Sequence, residues 1–168
     1  GTTYQGLGMY APARKHLEAA LDASIAAHGL EHVKVALALD RLAGAFEEEG
    51  DYPEAERLCR RALAMLQRLG EADGTAGAQL KGSLARVLQC LGKGEEAEAL
   101  FRETLATQRR IEGDRGPGVA ATLNNLAWMY AERGEKLDRA LQLALAAKAE
   151  LPEVAKVNET LGFVYLQK

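Results

Sequence analysis

The residues of this sequence best suited to molecular recognition are Asn124, Asn125 and Trp128. An asparagine amide carries two donors and an acceptor, which can pair with the backbone of an extended peptide. Asparagine disfavours a helix interior by a few tenths of a kcal/mol, so two in succession need a compensating contact. Trp128, one turn further on, would supply an apolar wall of the kind that dominates binding energy. Two other interpretations stay open: Asn125 holds neighbouring helices together, and Trp128 packs in the core.

Two other groups have the spacing of a ligand site, and their neighbours weaken both. His28 and His32 are four residues apart, which lets two imidazoles share a metal ion on a helix. Gly29 lies between them and makes a regular helix improbable there, and no cysteine or third histidine is near in sequence. The Gly-Lys-Gly run at 92–94 lacks the remaining residues of a phosphate-binding P-loop. We therefore predict no metal site and no cofactor.

Nothing in the sequence suggests catalysis. It contains no Ser, His and acid arrangement, and no pair of carboxylates in an apolar setting. The acidic run at 47–49 is most simply a solvated helix end. Cys59 and Cys90 both fall in helical patterns, and we interpret them as small buried apolar residues. The chain is therefore predicted not to be an enzyme.

Composition narrows the class of partner. The 168 residues carry a net charge of -3, so no strong global field favours nucleic acid. No apolar run approaches the roughly 20 residues that span a bilayer, which predicts no membrane insertion. The compartment cannot be determined from these residues, although the cytoplasm is favoured.

The helices that position these residues recur at a fixed interval. The pairs Leu42-Ala43, Leu84-Ala85 and Leu126-Ala127 are each 42 residues apart, and each precedes a helix-breaking glycine at Gly50, Gly92 or Gly134. A constant period in this range indicates one supersecondary unit stacked repeatedly. The third unit carries one extra residue after its glycine.

The same register predicts the outer parts of the chain. Thr2 to Leu7 matches the end of a first helix, with a break at Gly8, so we expect a fragment of a longer array. A second helix is then predicted from about Tyr10, with Pro12 in its first turn. Near the other end, Pro152 closes a second helix, and the first-helix pattern restarts at 158–168.

These residues resemble the tetratricopeptide repeat (TPR) family, in the long 42-residue variety of kinesin light chain-type repeats. The resemblance rests on a Leu-small pair, a large residue three positions later, a glycine break and a second-helix alanine. The large residues are Phe46, Leu88, Tyr130 and Tyr165, the alanines are Ala13, Ala55, Ala97 and Ala140, and Leu161-Gly162 is a fourth Leu-small pair. The early tryptophan of the family pattern is replaced by Leu39, Lys81, Leu123 and Asn158.

The resemblance implies an all-α fold, a right-handed superhelical solenoid of antiparallel helix pairs. The chain 1–168 would be a single array. Residues 1–29 would form a partial repeat, mainly its second helix. Repeats would follow at 31–70, 74–112 and 117–151, and 153–168 would be the first helix of a further repeat.

The resemblance also implies that first helices line a concave, ligand-binding groove. The residues placed there are Asp40, Arg41, Gln79, Ser83, Arg86, Asn124, Asn125, Trp128, Lys156 and Glu159. Arg41 and Arg86 are candidates for recognising a ligand carboxylate.

The sequence thus predicts a non-catalytic scaffold that binds a protein or peptide segment in the groove. One alternative is head-to-tail self-association through complementary ends of the array. In that alternative Leu161, Val164 and Tyr165 of one molecule would pack on Ala13, Leu17 and Leu21 of another. A second alternative is the docking region of a larger regulatory enzyme.

Overall fold

In this computed structural model the backbone is described for residues 7–168 and the side chains from residue 13 onward. The regular elements of that range are α-helices. They are α1 (Leu7–His28), α2 (Val33–Glu49), α3 (Tyr52–Arg68), α4 (Thr75–Cys90), α5 (Gly94–Glu112), α6 (Pro117–Glu132), α7 (Leu137–Glu150) and α8 (Ala155–Gln167). Most of the helix end predicted at Thr2 to Leu7 lies outside the described residues.

The start of α1 differs from the prediction. The helix already begins at Leu7 and continues through Gly8, so a break at Gly8 and a start near Tyr10 are wrong. A glycine ends a helix when it adopts a left-handed conformation, as Gly50 does with φ 83°, whereas Gly8 is helical. Pro12 consequently falls beyond the first turn.

Local capping explains the boundaries of α2 and α3. The ring Nδ1 of His32 accepts a hydrogen bond from the backbone N–H of Lys34 at 3.1 Å, at the start of α2. Asp51 accepts from the backbone N–H of Glu54 at 3.3 Å, and a proline occupies the first turn of α3. Both caps satisfy backbone donors that a helix start leaves unpaired.

The described chain divides into two compact units, Gly1–Lys93 and Gly94–Lys168. In unit 1, α2 packs on α1, α3 and α4. In unit 2, α6 packs on α5, α7 and α8. The boundary between the units falls between α4 and α5, inside the predicted repeat 74–112.

The core of each unit consists of the small and aliphatic residues that recur with the period. In unit 1 the fully buried side chains include Val35, Leu39, Ala55, Ala62 and Leu80, and in unit 2 they include Ala97, Phe101, Ala127, Ala140 and Ala144. Alanines at the predicted second-helix positions bring neighbouring helices close, which is what their spacing indicates.

A lysine–glutamate contact recurs in the two units. Lys93 Nζ lies 2.7 Å and 2.8 Å from the Glu56 carboxylate oxygens, and Lys136 Nζ lies 2.8 Å and 3.1 Å from those of Glu98. The glutamates are 42 residues apart but the lysines 43. The predicted extra residue is accommodated at Lys136, which adopts the left-handed conformation with φ 49° and so keeps the contact in register.

Candidate functional site

On unit 1, the packed helices α2 and α4 share a polar face that carries several predicted groove residues. Gln79 Nε2 donates a hydrogen bond to Asp40 Oδ2 at 2.8 Å. Two turns further along, Arg86 donates to the Glu47 carboxylate through Nε at 3.2 Å and Nη2 at 2.9 Å. The two contacts are seven residues apart on each helix and hold α2 against α4.

Asp40 is buried, with 7% of its surface exposed. Desolvation raises the pKa of its carboxyl above the ordinary value, although the side chains of Gln79 and Ser83 and the charge of Arg86 favour ionisation. Cys59 of α3 lies in the same region, and burial raises its thiol pKa to about 12. That thiol is therefore protonated at neutral pH and unsuited to nucleophilic chemistry.

Replacing Asp40 by asparagine is expected to stabilise the protein at pH 7. Because its pKa is raised on folding, the ionised carboxylate costs stability above the folded pKa, and this cost disappears as the pH falls towards the unfolded value. Asparagine keeps an acceptor for Gln79 without the buried charge. Urea unfolding of both proteins should show the variant more stable at pH 7 and the difference shrinking near pH 4. An Asp40→Asn variant less stable at pH 7 would contradict this account.

The acidic run at 47–49 is not simply a solvated helix end, and that expectation is wrong for two of its members. Glu47 pairs with Arg86, and Glu49 accepts from Arg14 Nη1 at 2.8 Å. Both glutamate side chains are largely buried by these contacts. The guanidinium of Arg86 is thus already engaged by a carboxylate of its own chain, as the raised pKa of Arg86 also reflects.

On unit 2, the corresponding face of α6 and α8 is aromatic. The rings of Trp128 and Phe163 stack with centroids 4.6 Å apart and planes 28° from parallel. Trp128 is 36% exposed, so the interpretation that it packs in the core is wrong. Asn125, one turn before it on α6, is half-buried. Its amide has no hydrogen-bond partner among the side chains that the structure describes.

The other predicted groove residues of unit 2 lie at different depths. Asn124 is buried, with 3% exposed, and its Oδ1 accepts no hydrogen bond in the described part of the chain. Lys156 and Glu159 of α8 are exposed. In unit 1, Arg41 is also exposed and Ser83 half-buried. The structure therefore brings Asp40, Gln79, Ser83 and Arg86 together in unit 1, and Asn125 and Trp128 together in unit 2.

The histidine pair and the cysteines have structural surroundings. The rings of His28 and His32 stack with centroids 4.6 Å apart, and His32 caps α2. No cluster of three or more His, Cys, Asp or Glu residues able to hold a metal occurs in the described range. Cys59 is buried as predicted, but Cys90 is exposed. It is the last residue of α4, where the helix leaves the packed interior, and both thiols are free.

Sequence reasoning missed the partners of two residues. Phe163 was given no partner, and Glu47 was assigned to solvent. A register signal existed for both. Aligning the Leu-small pairs places Phe163 at the position of Trp128 in the next first helix, and places Glu47 seven residues beyond Asp40, as Arg86 is beyond Gln79.

Comparison with known families agrees with this repeated geometry. The sequence profile of the tetratricopeptide repeat matches residues 1–72 and 74–149. The chain belongs to the tetratricopeptide repeat family. In TPR terms, the polar face of unit 1 and the aromatic face of unit 2 are each formed by first helices of successive repeats.

Solved TPR structures share the fold. The crystal structure of BtubC (BKLC) from P. vanneervenii superposes with a TM-score of 0.78 at 24% identity, covering 97% of this chain and 68% of that one. The kinesin light chain-type TPR-like repeats of Podosopora anserina give a TM-score of 0.73 at 22% identity, covering 98% and 81%. The predicted fold class, an all-α solenoid of helix pairs, is confirmed. No curated protein sequence matches significantly.

TPR arrays generally act as protein–protein interaction scaffolds, and the family is generally non-catalytic. Among the helices that the structure describes, none combines the length and apolar character needed to cross a membrane.

Proposed function

We propose that this chain is a non-catalytic scaffold that binds a peptide segment of a partner protein along its first helices. The observation that carries the proposal is the exposed Trp128–Phe163 stack beside the Asn125 amide on unit 2. Large aromatic side chains in a partly desolvated setting supply most of the energy of a typical interface. The stack gives a ligand side chain a rigid apolar surface to pack on.

The amide of Asn125 complements this anchor. It can donate to a backbone carbonyl and accept from a backbone N–H of an extended peptide. Such pairing does not depend on the ligand sequence, so it orients the chain while the aromatic pair selects an apolar residue. Lys156 and Glu159 bring one charge of each sign to the exposed side of α8.

The polar face of unit 1 is suited to a lesser share of the binding energy. Asp40, Gln79 and Arg86 already satisfy one another or Glu47, and a ligand would have to replace those contacts. Arg41 is the groove residue of unit 1 whose charge is exposed. We therefore place the main anchor at Trp128 and Asn125.

The test is a selection of binding peptides from a displayed random library, followed by affinity measurement. Trp128 is the single tryptophan of the chain, so its emission should shift when a selected peptide covers it. Affinities are then measured with a fluorescently labelled peptide. Trp128→Ala is expected to weaken binding by about 2 kcal/mol, roughly 30-fold. Asn125→Ala is expected to cost about 1 kcal/mol.

The matched controls are Leu145→Ala and Gln142→Ala, exposed residues of α7 that lie off this face. Both should bind like the wild type, and circular dichroism should show all four variants helical. Peptides that bind every variant equally, without moving the tryptophan emission, would place the site elsewhere. Failure to select any peptide would remove the proposal.

A further inference from the structure

Helix α8 exposes a stripe of residues whose counterparts in other first helices are buried or engaged. We call Glu159, Gly162, Tyr165 and Leu166 the α8 stripe. Tyr165 is 56% exposed and Leu166 85%, whereas Tyr130, the counterpart of Tyr165 in α6, is 3% exposed. No described helix of this chain covers the stripe, although apolar side chains of this size gain roughly 1.5–3 kcal/mol on burial.

A groove with the complementary character lies between α1 and α2. It has a volume of about 350 Å³ and an apolar floor formed by Leu17, Ala20, Leu37 and Ala38, with Lys34 and Arg41 on the α2 side. Counterparts of the α1 residues one period later, Cys59 and Ala62 of α3, are fully buried. In unit 1 the helix that lies beside those counterparts is α2.

The packing of α2 on α3 and α4 therefore gives a register for a helix in the α1–α2 groove. Moving back one period of 42 residues takes α3 to α1 and α4 to α2. Aligning Leu161-Gly162 with Leu42-Ala43 takes α2 to α8, so that Glu159 stands for Asp40 and Leu166 for Glu47. Arg41 and Gly44 in turn stand for Ser83 and Arg86.

The chemistry of the aligned residues is complementary. Asp40 lies close enough to Ser83 for that hydroxyl to favour its ionised form, so Glu159 in the same place would meet Arg41. A Cβ at Gly44 would have no atom within 4 Å, which leaves room for the apolar Leu166 where Glu47 otherwise meets Arg86. Neither Glu159 nor Arg41 forms an ion pair within the described residues.

We propose that α8 of one copy of this chain docks in the α1–α2 groove of a second copy, with Glu159 paired to Arg41 and Leu166 packed over Gly44. The contact is heterologous, because each copy offers one stripe and one groove. It therefore either closes a ring or extends into a chain of copies. It does not depend on peptide binding, since Asn125 and Trp128 are not part of it.

Sedimentation velocity over a wide concentration range tests the proposal. The average mass of the wild type should rise with concentration, and less so at high salt, which screens the ion pair. Glu159→Arg and Arg41→Glu should each weaken self-association by roughly tenfold or more. An equimolar mixture of the two variants should associate again, because every Arg then meets a Glu.

Two controls reverse a charge outside the contact, Glu153→Arg in the loop before α8 and Arg61→Glu on α3, both at exposed positions. Both should associate like the wild type, and circular dichroism should show every variant helical. A wild type that stays monomeric at all concentrations overturns the proposal. So does association that neither charge reversal weakens, or a mixture that associates no better than its components.

Discussion

Replacing Phe101 by alanine is expected to lower the free energy of unfolding by about 3–5 kcal/mol. Phe101 of α5 is fully buried and is among the largest such side chains in the described range. Truncation removes its apolar contacts and leaves a cavity that the neighbouring helices of unit 2 fill only in part. Urea unfolding followed by circular dichroism measures the loss, and Trp128 emission reports the same unit.

The comparison for this variant is Leu145→Ala on α7. Leu145 is 46% exposed, so its truncation should change the free energy of unfolding by well under 1 kcal/mol. Phe101→Leu should fall between the two, since it retains most of the apolar volume. If Phe101→Ala were no more harmful than Leu145→Ala, the packing described for α5 would be wrong.

Replacing Gly77 by alanine is expected to lower the free energy of unfolding by about 3 kcal/mol. A Cβ at this position would lie 1.9 Å from the carbonyl oxygen and 2.4 Å from the carbonyl carbon of Ala72. Both atoms are backbone, so the loop before α4 would have to change its path. Urea unfolding followed by circular dichroism measures this loss.

Gly44→Ala is the matched substitution, because Gly44 lies within α2 and a Cβ there would meet no atom within 4 Å. Alanine is the better helix former by about 1 kcal/mol, so this variant should be more stable than the wild type. The two changes add the same methyl group and should have opposite signs. A Gly77→Ala variant as stable as Gly44→Ala would contradict the loop geometry.

The helices themselves could largely be predicted from the sequence. Glycines such as Gly50 and Gly134 end first helices because they alone adopt the left-handed conformation without strain, and Pro152 follows the end of α7. The start of α1 was mispredicted because the period assigned a break to Gly8. Repetition in sequence does not by itself impose a left-handed conformation on a glycine.

The candidate site was predictable as a set of positions and not as a set of contacts. Trp128 was expected on a ligand-binding face, and its exposure agrees with a surface position, while its role in binding stays a prediction. Asp40, Gln79 and Arg86 were expected on the same kind of face, but they bond within the chain. Whether a polar residue meets ligand or neighbour depends on what the adjacent helix presents.

Composition, period and capping residues by themselves determined the helical class, the order of the helices and the small residues of the core. These follow from backbone conformation and from apolar spacing along one helix, which are local properties. Only the tertiary structure decided which side chains meet across helices, such as Trp128 with Phe163. It also decided that the Ala72 backbone fills the space beside Gly77, where the neighbouring repeats carry Val35 and Val119. These contacts depend on how packed helices and loops share one volume, which no single segment specifies.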